Sequence, residues 1–443
     1  MSGVTFVSVP GMVLTADMSY LQMCLGFVPG YLIVAFVLLP VYYRLRSATI
    51  YTYLQRRFHR LAYITGTTCF IVSKMAGASI RLYLVCLILT TLHSELSIVN
   101  SPLSIVNCPL SIVNCELPFA LSAALLLALI WLYTRRGGIK TIVWTDCLQT
   151  LVMLIALVLI IFAVLSAQSW DIADAVRHIR QSPLSQVWVT DAASPNYFWK
   201  QFLSGIFIVI VMTGLDQDMM QKNLTCRTLR QSQLNMTVNG LLYLPANLLF
   251  LSLGVLLALF ANQHGITLPA RTDEFLPMLC GGGYLGQLAL YCFALGIVAA
   301  AFSSADSAYT ALTTSICVDL FGRPDSQRLR RRVHLGVIFL SFLFILLFHA
   351  VSNASVIQAV YQIASYTYGP LLGLFAFGLF TRRVPRPLWV PVVCILSPLA
   401  CWLLSVATAH LFDYHFGYEL LMLNGALVFI GLWLSPRQAP ACL

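Results

Sequence analysis

Ala294-Leu-Gly-Ile-Val-Ala-Ala-Ala-Phe-Ser-Ser-Ala-Asp-Ser-Ala308 sets small and oxygen-bearing side chains inside an otherwise apolar stretch of membrane length. At 3.6 residues per turn, Ser303, Asp306 and Ser307 share one helix face, with Ser304 beside them. Ala299, Ala300 and Ala301 thin the preceding turn, so a second backbone can approach closely. Lone serines in membrane helices bond back to a carbonyl one turn earlier. A carboxylate with three hydroxyls on one stripe is costly in hydrocarbon, and it suits a hard, oxygen-seeking cation such as sodium.

Working outward, 59% of the residues are hydrophobic, 9% are charged, and the mean hydropathy is +0.84. That composition predicts an all-α polytopic membrane protein. Twelve apolar segments are expected, at 2–15, 21–43, 57–92, 117–134, 141–167, 198–221, 231–262, 284–320, 329–351, 354–381, 387–410 and 417–435. The first is too short to span, and the others reach the crossing length of about 20 residues.

The net charge of +10 does not mark a nucleic-acid surface. Of 26 Lys and Arg, 20 fall in alternate loops and the C-terminal tail, and only Arg177, Arg180, Lys200 and Arg271 lie in the opposite set. This bias places the basic loops and the C-terminus in the cytoplasm. The 13 cysteines have no metal-ligand spacing, though Cys108 and Cys115 share an outer loop and can pair. That loop carries Leu-Ser-Ile-Val-Asn three times, from Leu96, Leu103 and Leu110. Pro102 and Pro109 forbid a continuous helix, so 96–116 reads as a tolerated low-complexity insertion.

Helix breakers stand at membrane depth: Pro10-Gly11, Gly205 and Gly214, and Gly369-Pro370. Broken helices offer backbone carbonyls and amides to a cavity. Breaks in the oppositely directed first and sixth segments suit an inverted repeat of five plus five helices. Asp146 lies about 9 Å beyond the cytoplasmic basic cluster in the fifth segment. With Ser303, Asp306 and Ser307 it can enclose a cation, or it pairs with Lys140, Lys74 or an inner-loop arginine. Lys74 and Arg81 share a face of the third segment. Arg81 either grips a substrate carboxylate or forms a structural pair with Asp146 or Asp306. Asp216 and Asp218 are expected in a solvated cluster with Lys222 and Arg227. Tyr197, Phe198, Trp199 and Phe202 form an outer gate or an interface belt, and Tyr361, Ser365, Tyr366 and Tyr368 are candidate cavity lining. No nucleophile–base pair appears, so the chain is not expected to be an enzyme.

Four motifs in order carry a resemblance: Ser2-Gly-Val-Thr-Phe6 with Pro10-Gly11, Gly137-Gly-Ile-Lys-Thr-Ile-Val-Trp-Thr-Asp-Cys-Leu-Gln149, Gly214-Leu-Asp-Gln-Asp218, and Ala299-Ala-Ala-Phe-Ser-Ser-Ala-Asp-Ser307. Together they resemble the sodium/solute symporters, nearest in motif to bacterial sodium/sialic acid carriers. The resemblance implies a LeuT-like fold in one membrane domain, with repeats over 1–167 and 198–381 and two accessory helices over 387–435. It implies a principal sodium held by Met1, Ala300, Ser303 and Ser304, and a second by Asp146, Ser303, Asp306 and Ser307. Asp306 stands where those carriers have serine. Ser2, Thr5 and Arg81 would hold a carboxylate, with Gln22 beside them. The family has a further helix upstream and the inner half of the first core helix, so a start upstream of Met1 is expected; a truncated, non-functional symporter is the other possibility.

The expected function is sodium-coupled import of a small, carboxylate-bearing, sialic acid-like solute by alternating access across a bacterial inner membrane. Sodium is the coupling ion, no organic cofactor is expected, and the partners are solute and membrane lipid, with no obligate protein partner. A solute sensor that does not transport is the rival.

Overall fold

The computed structural model describes residues 3–45, 49–99, 119–134, 139–192, 194–323, 325–351, 356–412, 414 and 416–436; the side chains of 91–99, 139–142, 301, 303 and 304 lie outside that description. The residue pair Cys108 and Cys115, most of the 96–116 repeat, Met1 and Ser2 also lie outside it.

The expected segments form twelve helical elements, here α1–α12. They are α1 (Gly3–Ala16), α2 (Tyr20–Leu45), α3 (Arg60–Val99), α4 (Phe119–Thr134), α5 (Ile139–Gln168), α6 (Phe198–Gly214 and Gln217–Asn223), α7 (Leu229–Gln263), α8 (Gly286–Leu320), α9 (Gln327–Val351), α10 (Val356–Thr367 and Gly369–Phe380), α11 (Trp389–Phe412) and α12 (Leu420–Leu434). Among the described residues, seven helices are long and apolar enough to cross a membrane, or nine if each bent pair counts once. The helices α4 and α12 are shorter than expected, with 16 and 15 described residues. At 1.5 Å per residue they reach only about 24 Å.

Apolar side chains distribute as lipid solvation requires. Leu148, Leu151, Ile155 and Phe162 on α5, and Ile395, Leu399 and Trp402 on α11, form exposed stripes that would be unfavourable in water and match hydrocarbon. By contrast α1 is sheathed: ten of its 14 residues are buried. It packs against α7 and meets α8, and α8 packs most extensively along α5. Helices α2 and α6 approach so closely that a Cβ on Gly26 would sit 2.1 Å from the Phe202 carbonyl oxygen. Gly205 therefore serves contact and does not break its helix.

Two of the expected breaks are present. The helix α6 passes through a π turn at Ile210–Gly214 and bends by 69° before Gln217–Asn223. The helix α10 bends by 46° at Tyr368, before Gly369-Pro370. The break expected at Pro10-Gly11 is absent, because α1 runs unbroken from Gly3 to Ala16. Pro10 removes one intrahelical bond without interrupting the helix. Gly11 is there for space, since a Cβ would lie 1.9 Å from the Thr272 carbonyl oxygen.

Candidate functional site

The α6 break builds a buried charge cluster at the bend. Asp216 caps Gln217–Asn223, accepting from the Asp218 and Met219 amides, which fixes its carboxylate at the bend. Lys74 reaches in from α3: its Nζ lies 3.0 Å from Asp216 Oδ2 and 2.8 Å from Asp218 Oδ2. Tyr368, at the α10 bend, donates to Asp216 Oδ2 at 2.8 Å. Ser307 on α8 donates to Asp218 Oδ2 at 3.3 Å. Four elements thus lock together around one set of charges.

This corrects the expected solvated cluster. Lys74, Asp216 and Asp218 are only 5%, 2% and 4% exposed, and the cation between the two aspartates is Lys74. Lys222 turns elsewhere, to Asp146 Oδ2 at 2.6 Å, with Asp218 Oδ1 at 3.8 Å. Asp146 thus pairs with that lysine, and the Lys140 side chain lies outside the described residues. The linear sequence concealed both pairings because 142 positions separate Lys74 from Asp216, and 76 separate Asp146 from Lys222.

The α8 stripe borders this cluster. Asp306 is fully buried; its Oδ1 accepts the Ser307 amide at 2.5 Å, while its Oδ2 has no hydrogen-bond partner among the described residues. Its charge lies within electrostatic reach of Asp146, Asp218 and Lys222. The fold therefore gathers Asp146, Asp306 and Ser307 from the expected second cation set, with an ammonium already on Asp146. For the first set, Ala300 is buried opposite the start of α1, where a Cβ on Gly3 would sit 3.7 Å from the Ala300 Cβ. The Ser303 and Ser304 side chains, and Met1 with Ser2, lie outside the described residues.

Two turns along α3 from Lys74, Arg81 enters a different environment. It forms no ion pair among the described residues, so neither Asp146 nor Asp306 is its partner. The Tyr243 and Tyr368 hydroxyls lie within its electrostatic reach. Thr5 bonds Tyr243, and Tyr20 and Tyr361 share a hydroxyl–hydroxyl bond of 3.0 Å. Cys24 adjoins Tyr20, Tyr243 and Tyr361. The result is an arginine facing a mostly neutral, hydroxyl-bearing wall drawn from α1, α2, α7 and α10. Sequence reasoning missed Tyr20 and Tyr243; the available signal was a phenol at membrane depth, which needs a partner for its hydroxyl.

Gln22 is fully buried and spoken for. Its Nε2 donates to the Ser19 and Asn196 carbonyls at 3.2 and 3.0 Å, and its Oε1 accepts from the Val189 amide at 3.3 Å. It ties α2 to the segment before α6 at Val189 and Asn196. Above it, Phe198 contacts Trp188, Trp199 and Phe202 at ring separations of 5.6, 5.1 and 5.5 Å.

Broken helices around buried polar groups, within a lipid-facing helical shell, define a multi-pass membrane protein of the solute-carrier type. The sequence model of the sodium:solute symporter family matches residues 113–387. The chain belongs to that family. It is 26% identical over 406 residues to the sodium-dependent multivitamin transporter of Oryctolagus cuniculus, covering 86% of this chain and 58% of that protein. It is 22% identical over 474 residues to the sodium/sialic acid symporter SiaT of Proteus mirabilis (strain HI4320), covering 100% of this chain and 86% of that one. The chain thus spans little more than half of the multivitamin transporter. In fold it is similar to a Na+-coupled sialic acid symporter solved in a substrate-bound outward-open state, with a TM-score of 0.76 at 19% identity, covering 99% of this chain and 88% of that one. The expected LeuT-like architecture is therefore the fold of this chain.

Proposed function

We propose that this protein imports a small carboxylate-bearing solute, of the sialic acid type, together with sodium by alternating access. The observation that carries the anionic solute is Arg81: a guanidinium at membrane depth, facing hydroxyls, with no carboxylate partner among the described residues. A partly buried cation at membrane depth without a counter-charge is costly, and a bound carboxylate supplies one in bidentate geometry. Thr5 and Ser2 would add hydroxyl contacts. Gln22 would act by holding the outer loop over the solute.

The principal sodium would lie between α1 and α8. The Met1 and Ala300 carbonyls with the Ser303 and Ser304 hydroxyls would give the oxygen donors a monovalent hard cation takes. A second sodium would use Asp146, Ser303, Asp306 and Ser307, where it has to share Asp146 with Lys222. Segments 1–167 and 198–381 would form the two repeats, with 387–435 as accessory helices. The basic loops and C-terminus face the cytoplasm of a bacterial inner membrane, so the solute moves toward them. Two sodium ions with one monoanion carry one net positive charge inward, a gain of about 2.3 kcal/mol per 100 mV.

The test is uptake into proteoliposomes under an inward sodium gradient. Import of labelled sialic acid or another carboxylate is expected to vanish when choline replaces sodium. Undiminished import in choline, with the proton gradient collapsed, overturns sodium coupling; saturable binding without import favours a sensor.

A further inference from the structure

The α10 bend leaves a specific backbone problem. In a regular helix the Tyr366 carbonyl would accept from the amide of residue 370, but residue 370 is proline and has no N–H. A buried carbonyl left without a donor costs about 1–3 kcal/mol. Here the missing donor comes from another helix. Asn424 on α12, fully buried, sends its Nδ2 to the Tyr366 carbonyl at 2.9 Å and to the Ser365 carbonyl at 3.0 Å. Ser397 on α11 donates to Asn424 Oδ1 at 2.7 Å, which fixes the orientation of the amide. Gly369 leaves the space: a Cβ there would lie 2.4 Å from Asn424 Nδ2 and Cγ. Proline, glycine and asparagine form one complete device, drawn from α10 and an accessory helix.

Both halves of α10 carry groups that matter to the carrier. The outer half holds Tyr361, bonded to Tyr20 on α2 and packed at 5.0 Å on the Tyr418 ring. Tyr368 at the bend holds Asp216 of the inner cluster. The bend angle therefore sets the distance between the hydroxyl wall and the charge cluster.

We propose that Asn424 is a positioning residue for transport: its side-chain amide replaces the donor that Pro370 lacks, so α11 and α12 set the bend of α10 about which the outer half swings. The transport part of this proposal rests on the carrier reading above; the backbone part does not.

The experiment is a double-mutant cycle on the full-length protein in lipid. Asn424→Asp keeps the shape and an oxygen for the Ser397 hydroxyl, but replaces the two N–H donations by one O–H donor at most. It is expected to slow maximal sodium-driven uptake about tenfold, as loss of about 1.4 kcal/mol implies. It is also expected to accelerate hydrogen–deuterium exchange across 364–374. Pro370→Ala restores a backbone N–H for the Tyr366 carbonyl, so Asn424→Asp in that background should recover both uptake and protection. A residue that merely packs α12 against α10 would not be rescued by Pro370→Ala. Wild-type uptake and exchange in Asn424→Asp, or failure of the rescue, overturns the proposal. Should Asn424→Asp not fold, Ser397→Ala, which only frees the amide to turn, is expected to give the same two changes more weakly, and normal behaviour there counts against it. If the wild type shows no sodium-driven uptake, the carrier reading fails, and the exchange cycle alone decides whether Asn424 holds the bend.

Discussion

Lys74 and Arg81 stand on one face of α3, two turns apart, yet the protein treats them in opposite ways. Lys74 meets two carboxylates and is sealed from solvent. Arg81 meets tyrosine hydroxyls and no carboxylate among the described residues. A buried charge neutralised by the protein itself fixes structure, because separating the pair exposes each ion to the full desolvation cost. On the proposed reading, a partly buried charge left for a visiting counter-ion serves recognition, because the solute removes that cost on binding. Helix α3 thus divides, on that reading, into a fastening end and a binding end.

The comparison is broken most directly at Lys74. Lys74→Met leaves Asp216 buried without its cation and Asp218 with only the more distant Lys222, a loss of about 3–5 kcal/mol. Detergent-solubilised protein should lose its monodisperse peak on fluorescence-detected size exclusion, or melt far below wild type. Unchanged stability would mean that the cluster is not a fastening.

Arg81→Gln should do the reverse. Stability should remain close to wild type, since no protein ion pair is lost. Carboxylate uptake should fall about 10- to 100-fold, in line with about 1.5–3 kcal/mol for a charge-assisted contact. Uptake competition with a panel of acids and neutral sugars reads this directly. Equal loss for neutral sugars would remove Arg81 from anion recognition.

The smallest expected effect lies at Lys222, whose pair with Asp146 is partly solvent-screened, with side-chain exposures of 22% and 20%. Lys222→Gln should change stability by less than about 1 kcal/mol. Freed of its ammonium, Asp146 beside Asp306 should attract sodium more strongly, so the sodium activation curve of uptake should shift to lower concentration by about threefold. A shift to higher concentration, or none, would show that Lys222 does not compete for that carboxylate.

Much of the architecture was legible in the residues. Apolar runs bounded by Arg44 to Arg60, Arg135 to Lys140 and Arg323 to Arg332 marked where the helices lie, since transfer of a segment into lipid depends on its own composition. Gly214 and Gly369-Pro370 marked two real bends. Pro10-Gly11 did not, because one missing amide bends a helix only when neighbours hold the distortion, and α1 has Thr272 pressed against Gly11 instead. Asp146 and Asp306 were visible as costly residues, but their surroundings were not.

The sequence by itself therefore determined that this is a many-helix membrane protein with a polar stripe on its eighth segment, because hydropathy and helical periodicity are local properties. Only the tertiary structure decided that Lys74 belongs to Asp216 and Asp218, that Lys222 sits on Asp146, that Arg81 faces Tyr243 and Tyr368, and that Asn424 fills the gap left by Pro370. Each of those pairings depends on how far helices distant in sequence rotate and approach, and a charge at membrane depth takes its role from whatever such packing places within a few ångströms of it.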